Sequence, residues 1–437
     1  MCKAFYYKKY EFDPHTGVLN LFYETDKNHS FCESITFEKA PFLLNNEQQK
    51  ALDKIFFLTH IAFGISYYKA FCCEKIEIQS GFLTLNEAHF FEKFYLEGLG
   101  EFAVRNNLNL QGKIKFPFRK NFKRESLHNE FKNRFLVPIG GGKDSCVSLE
   151  ILKGIDKDIT CISISNPRPI LECKEKSQCP SLLITRKIDP TLIELNQSGT
   201  VYNGHVPITG MLAFILWASA VLYNYKYVAM SSEASANSPN LMQGNLKINH
   251  QYSKSFSFEA DFHQITKSIT PDFLYFSLLR SFSELKIASL FGKYCSQYFD
   301  IFTSCNKAFK IDEKKRLDRW CGTCDKCRFV FLALAPFMQK EKLIQAVGEN
   351  LLNNSENLKG YEELLGLSGH KPFECVGEIE ECRTAFHLLA KKEEYQNDFI
   401  IKSLKNKVPL PKADAFKERS EHLIPTELYY EVSRFIK

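Results

Sequence analysis

Phe135-Leu136-Val137-Pro138-Ile139 followed by Gly140-Gly141-Gly142-Lys143-Asp144-Ser145 is the stretch on which the fold is decided. The first five residues form a short apolar run of strand type, and a helical pattern runs from Ser145 to Lys153. Three glycines between them let the backbone turn its N–H groups toward one point with no Cβ in the way. The positive end of the helix lies behind that point, so the turn is a nest for phosphate oxygens. Lys143 adds charge and Ser145 a hydroxyl. The longer loop that ends in Gly-Lys-Ser/Thr is absent, and so is the dinucleotide fingerprint.

Outward from the glycines the rhythm is strand, helix, strand. Ile159–Ile164 and Ser181–Lys187 read as strands, a helical piece lies near Leu192, Ile208–Leu222 reads as a buried helix and Tyr227–Met230 as a fourth strand. Such alternation predicts an α/β fold, a parallel sheet flanked by helices. Upstream, Val18–Tyr23 and Phe31–Phe37 alternate as strands with a turn at Pro14–Gly17, and Gln48–Phe63 and Leu85–Asn107 follow a helical period. The expected organisation is an α+β N-terminal domain over 1–130, a loop-bearing α/β domain over 131–340 and a helical C-terminal region over 341–437.

The chain has 437 residues, 44% hydrophobic and 25% charged, with a net charge of +6. Those values fit a globular protein with a real core, and the charge suits anion handling without calling for nucleic acid. The opening residues lack an apolar stretch ending in small residues. The longest apolar run, Ile208–Tyr223, contains Thr209, Gly210 and Ser219 and is short for a span of about 20 residues. The expectation is a cytoplasmic protein with no membrane segment. Its 15 cysteines then read as reduced thiols and metal ligands, with no disulfide framework. The basic stretch Lys113–Arg134 reads as a linker or rim.

A second cluster is Cys321-Gly-Thr-Cys324-Asp-Lys-Cys327, with Cys305 upstream. Two successive two-residue spacings bring three thiolates to one ion, and Cys305 supplies a fourth. Four sulfurs suit a structural Zn²⁺, with an iron–sulfur cluster as the alternative. Lys307, Lys326 and Arg328 would soften the charge.

The glycine loop resembles the PP-loop of the ATP pyrophosphatases, Ser-Gly-Gly-x-Asp-Ser, with Gly140 in place of the first Ser. The resemblance implies cleavage of ATP between its α and β phosphates and adenylation of a substrate oxygen, with Gly140, Gly141, Gly142, Lys143, Asp144 and Ser145 binding the nucleotide. Further stretches narrow the match: Tyr202-Asn-Gly-His-Val-Pro207, Met230-Ser-Ser-Glu233, Asn249-His-Gln-Tyr-Ser-Lys-Ser255, Tyr275-Phe-Ser-Leu-Leu-Arg280, Trp320-Cys-Gly322 and Lys371-Pro-Phe-Glu-Cys-Val-Gly-Glu378. With Gly64–Lys69 and Glu101–Asn106, they resemble the UDP-N-acetylmuramoyl-L-alanyl-L-glutamate epimerases of peptidoglycan synthesis, from near residue 5 to near residue 385.

That resemblance implies UDP-MurNAc-L-Ala-L-Glu as substrate, inversion of its terminal glutamate to the D form, and consumption of ATP with Mg²⁺. Adenylation explains why an epimerase uses ATP. A free carboxylate resists a carbanion beside it, and the acyl adenylate removes that charge. Closure of the L-Ala amide oxygen onto the activated carbonyl would give an oxazolone with an acidic C–H. His205 and Cys375 are the candidate bases, Glu233 a base or Mg²⁺ ligand, and Lys254 and Arg280 candidate holders of phosphate or carboxylate. Two other readings stay open: a PP-loop enzyme modifying tRNA or a deazapurine, and a zinc-stabilised nucleotide-binding module. The sequence sets no oligomeric state.

Overall fold

A computed structural model describes every residue except Met1, Asn129, Gly244, Asn245, Ile311, Asp312 and His370. Its strands are β1 (Ala4–Asp13), β2 (Val18–Thr25), β3 (Ser30–Phe37), β4 (Lys75–Ile78), β5 (Lys132–Pro138), β6 (Ile159–Ser163), β7 (Ser181–Lys187), β8 (Tyr225–Met230), β9 (Leu241–Gln243), β10 (Leu246–Ile248) and β11 (Leu274–Ser277). Nine of them form one sheet in the order β11-β8-β5-β6-β7-β3-β2-β1-β4, and β9 pairs with β10 apart from it. β5 runs parallel to β8, and β1 parallel to β4. β1, β2 and β3 form an antiparallel meander, and β3 pairs antiparallel with β7. The fold is α/β, as the alternation predicts. β6, Ile-Thr-Cys-Ile-Ser, is buried at every position, as expected of a strand covered on both faces.

The order contains a reversal that matters for function. β5 has β6 on one side and β8 on the other, so successive connections leave it in opposite directions. The carboxyl end of such a strand is a topological switch point, where α/β sheets open a crevice for ligands. Gly140–Gly142 follow that end of β5 directly.

The chain divides into two compact units. The first comprises 1–136, 182–228 and 252–276. Its core is aromatic: Phe5, Tyr7, Tyr23, Tyr67, Tyr68 and Tyr95 are all buried, with Tyr23 and Tyr67 stacked at 4.8 Å. The helix Asn46–Phe63 starts at a capping box in which Asn45 and Gln48 exchange bonds. The helix Ile208–Tyr223 is buried along nearly its whole length, as expected. No helix of the described residues is long and apolar enough to cross a membrane.

The expectation of reduced thiols throughout is corrected at one pair. Cys2 and Cys73 are joined in a disulfide with a Cα–Cα distance of 4.5 Å. β1 and β4 pair from Ala4 with Lys75 onward, which sets the residues just before each strand side by side. The other cysteines are free.

His60 is a buried polar group of this unit. Its Nε2 lies 2.9 Å from the Phe22 carbonyl and its Nδ1 3.1 Å from Ser80 Oγ, so Nε2–H donates and Nδ1 accepts. Burial pushes the imidazole down to about 3, against the opposing bond to Phe22. The folded value lies below the unfolded one of about 6.5, so the unfolded chain gains its proton first. His60 therefore contributes stability that is fully present above pH about 6.5 and falls away with pH below it. About 2 kcal/mol is lost by pH about 5. Urea unfolding at the two ends of that range checks this. The wild-type loss should exceed that of His60→Asn by this amount, and equal losses would contradict it.

The second unit comprises 137–181, 229–251 and 277–437. It holds the glycine loop, the helix Lys143–Gly154 and the helical remainder of the chain. The last helix, Thr426–Ile436, packs on the loop's helix so closely that a Cβ on Gly154 would stand 2.2 Å from the Phe435 ring.

Candidate nucleotide loop and metal centre

The glycine loop is built as a nest with its carbonyl side tied down. Gly141 has φ +75°, and a Cβ there would lie 3.1 Å from the Pro169 carbonyl carbon and 3.2 Å from the Ile170 nitrogen. Both are backbone atoms and do not yield, so only glycine fits. The Gly141 carbonyl accepts from the Thr303 N–H at 2.9 Å. Ser145 Oγ donates to the Gly142 carbonyl at 3.1 Å, which closes the turn. Gly142 occupies the N-cap of the helix and, having no side chain, makes no cap bond to the first-turn N–H groups. Such donors, with the helix dipole behind them, are of the kind that can hold an anion.

Lys143 is wholly buried, and its ammonium binds the carboxylates of Asp144 and Glu284. Burial works against its charge, but the two carboxylates outweigh burial and hold the lysine well above its usual range. Glu284 opens the helix Glu284–Tyr294, capped by Ser283. Its backbone N–H donates to Glu381 at 2.8 Å, and burial pushes the Glu381 carboxyl up to about 8, with Glu284 and Glu378 adding to the rise. Sequence reasoning stopped at Arg280 and missed both glutamates. The legible signal was Ser283 before Glu284, an N-cap pattern.

Glu233 and Arg280 come together in this unit. Arg280 is 1% exposed and its Nη1 donates to the Glu233 carbonyl at 2.7 Å. Glu233 is itself buried just past β8, the strand beside β5. Cys375 is half-buried, and its carbonyl accepts from the Lys326 ammonium. His205 and Lys254 belong to the other unit. There His205 Nδ1 lies 3.7 Å from a Glu101 carboxylate oxygen, and Glu101 also accepts from Arg105 Nε at 2.6 Å. Lys254 ends the single turn Tyr252–Lys254, ahead of the helix Phe256–Ile269.

The cysteine cluster assembles. The sulfurs of Cys305, Cys321, Cys324 and Cys327 all lie within 4.8 Å of one another. Cys305–Cys324 is 4.0 Å, Cys321–Cys327 is 3.7 Å and Cys324–Cys327 is 3.4 Å. A tetrahedron of sulfurs about Zn²⁺ has edges of about 3.8 Å, so the four thiols fit that ion. Gly322 makes the knuckle: its φ is +68°, and a Cβ would collide with Glu349 Oε1 at 2.0 Å. Cys324 then stands at the N-cap position of the helix Asp325–Leu334, which carries Cys327 on its first turn. All four positions are cysteines, so no coordination site remains for substrate. Of the basic neighbours, Arg328 binds Asp325 and the Thr323 carbonyl, and Lys326 the Cys375 carbonyl.

Comparison with known proteins follows this geometry. A family model described as the MurL N-terminal domain matches residues 1–278, and one described as the MurL C-terminal domain matches 301–419. The chain belongs to the MurL family. Three relatives carry the name UDP-N-acetyl-alpha-D-muramoyl-L-alanyl-L-glutamate epimerase. One from Xanthomonas oryzae pv. oryzae is 40% identical, over 89% of this chain and 86% of its own length. One from Micromonospora sp. is 37% identical over 97% and 96%, and one from Salinispora tropica 37% over 93% and 89%. The glycine loop thus falls in the MurL N-terminal match and the four cysteines in the C-terminal one. Glu284 stands between the two matched stretches.

Proposed function

We propose that this MurL-family chain is an ATP-dependent epimerase that inverts the terminal L-glutamate of UDP-MurNAc-L-Ala-L-Glu to D-glutamate in peptidoglycan synthesis, working in the cytoplasm without a nucleic-acid partner. The observation that carries the reading is the agreement of three relatives, at 37–40% identity over most of their length, on one substrate and one reaction type. A phosphate nest at the sheet's switch point supports the ATP half of it.

The chemistry follows from the acidity problem. The glutamyl carboxylate attacks the α-phosphorus of ATP, the bond to the β-phosphate oxygen breaks, and pyrophosphate leaves. The loop amides from Gly140 to Ser145 hold the departing oxygens. Mg²⁺ neutralises phosphate charge when bound, and Glu233, a hard oxygen donor just past β8, is the carboxylate offered to it. The acyl adenylate, or the oxazolone formed from it, makes the α C–H acidic enough for a side-chain base. His205 is the first candidate, an imidazole whose Nδ1 stands beside the Glu101 carboxylate. Cys375 is the second. Lys254 and Arg280 are assigned to the substrate's anionic groups. Return of a proton from the opposite face inverts the centre, and attack of water restores the carboxylate of a D-glutamyl residue still joined to L-Ala, with AMP released. Cys305, Cys321, Cys324 and Cys327 would hold Zn²⁺ in a structural role.

Turnover in deuterium oxide tests the carbon chemistry. The product glutamate should carry deuterium at its α-carbon. Product that retains its original α-hydrogen without dilution would sink both the adenylate and the oxazolone routes.

A further inference from the structure

Lys143 occupies the open position of the phosphate-loop pattern, yet its side chain is completely buried. One of its two carboxylate partners is the adjacent Asp144. The other arrives from a helix that begins 141 residues further on. Glu284 is as buried as Lys143, at 1% exposure. One of its oxygens takes the ammonium, and the other, Oε1, has no hydrogen-bond partner among the described residues. A buried carboxylate left half unsatisfied costs stability. Packing does not require a carboxylate at this position, so a role in the loop's function accounts for it.

We propose that Glu284 is a positioning residue for nucleotide binding, anchoring the Lys143 ammonium beneath the phosphate loop and keeping it a cation. This rests on the phosphate-binding reading of the loop. The same chain supplies the comparison. Lys69 is also mostly buried, but its ammonium has the neutral Asn203 oxygen at 3.3 Å, and burial pushes it down to about 8. Lys143 would follow without its carboxylates. The charged groups around the pair are Asp144 on the lysine's own helix, and Glu233, Lys326 and Glu381 on the elements that face Glu284. Three of these four are acidic, so the Glu284 carboxylate sits against their repulsion and is offset by the Lys143 ammonium.

The test is the pH profile of nucleotide affinity in the full chain, by equilibrium dialysis with α,β-methylene-ATP from about pH 7.5 to 9.5, where the nucleotide's own charge is constant. In the wild type Lys143 stays charged and the profile is shallow. In Glu284→Gln one of the two carboxylates that oppose burial is gone, so the Lys143 midpoint moves down and affinity falls toward the alkaline end of the range, by up to about tenfold per pH unit once that midpoint is passed. Glu284→Asp, with its shorter reach, should fall between the two and carries the test should the glutamine variant not fold. Parallel profiles, even with uniformly weaker binding, would overturn the proposal, because a purely structural glutamate changes affinity without changing its pH dependence. A folded wild type that binds no nucleotide at any pH would instead overturn the loop reading and this inference with it.

Discussion

Valine in place of Gly141 is expected to abolish AMP formation, by at least about a thousandfold, in a chain that still folds. Two effects combine. The φ of +75° is one that a β-branched residue does not adopt without strain, and the new Cβ would press on backbone at Pro169 and Ile170. The loop must then turn its amides away from the common point. Gly140 is the control. It has ordinary φ, and a Cβ there would meet nothing within 4 Å. Gly140→Ser, which restores the hydroxyl of the PP-loop pattern, should keep full activity and bind nucleotide as tightly as wild type or a few-fold tighter. Steady-state AMP release and dialysis with the non-hydrolysable nucleotide separate the two variants. A fully active Gly141→Val would show that the nest is not the nucleotide site.

Loss of one cysteine of the cluster has the second large effect. Cys327 is buried on the first turn of Asp325–Leu334, with sulfurs at 3.4 and 3.7 Å. In Cys327→Ser, zinc measured by elemental analysis should drop from about one ion per chain to near zero. Thermal unfolding should move down by 10 °C or about that, because the ion's binding free energy contributes to folding. Nucleotide binding should survive at a temperature where the variant is folded, since a four-cysteine site offers no position to substrate. Iron with visible charge-transfer absorption, in place of zinc, would replace the assignment by an iron–sulfur cluster.

Much of the site could be read in the residues because it is local. The glycine loop needs one strand, three glycines and one helix, all within 20 residues or about that, and each leaves a mark on the sequence. The knuckle Cys321–Cys327 is likewise a short-range object, and Cys305 joined it as a cysteine near enough in sequence to supply a fourth ligand. Strands β2, β3, β6, β7 and β8 and the helices Asn46–Phe63 and Ile208–Tyr223 lie where the patterns placed them, with ends shifted by a few residues. What escaped was set by pairing at long range. β1 begins in residues read only for their lack of an apolar stretch, and nothing in Ala4–Asp13 marks its partners. The antiparallel join of β3 to β7 has no local trace, since a strand's alternation reports which faces are buried and is silent on which strand lies alongside. The Cys2–Cys73 bond follows from the equally unmarked pairing of β1 with β4. Glu284 escaped for a different reason. A glutamate after an N-cap serine is an ordinary helix start, and only the fold shows that it reaches a lysine in the phosphate loop.

The central claim is that one chain couples ATP cleavage to inversion of a peptide-borne glutamate. Purified protein, ATP, Mg²⁺ and UDP-MurNAc-L-Ala-L-Glu test it directly, with AMP and pyrophosphate followed alongside chiral analysis of the glutamate released by hydrolysis. The predicted result is D-glutamate accompanied by AMP in step with it, with neither formed when ATP is withheld. D-glutamate formed without ATP, or AMP released with the glutamate still wholly in the L form, would contradict the account.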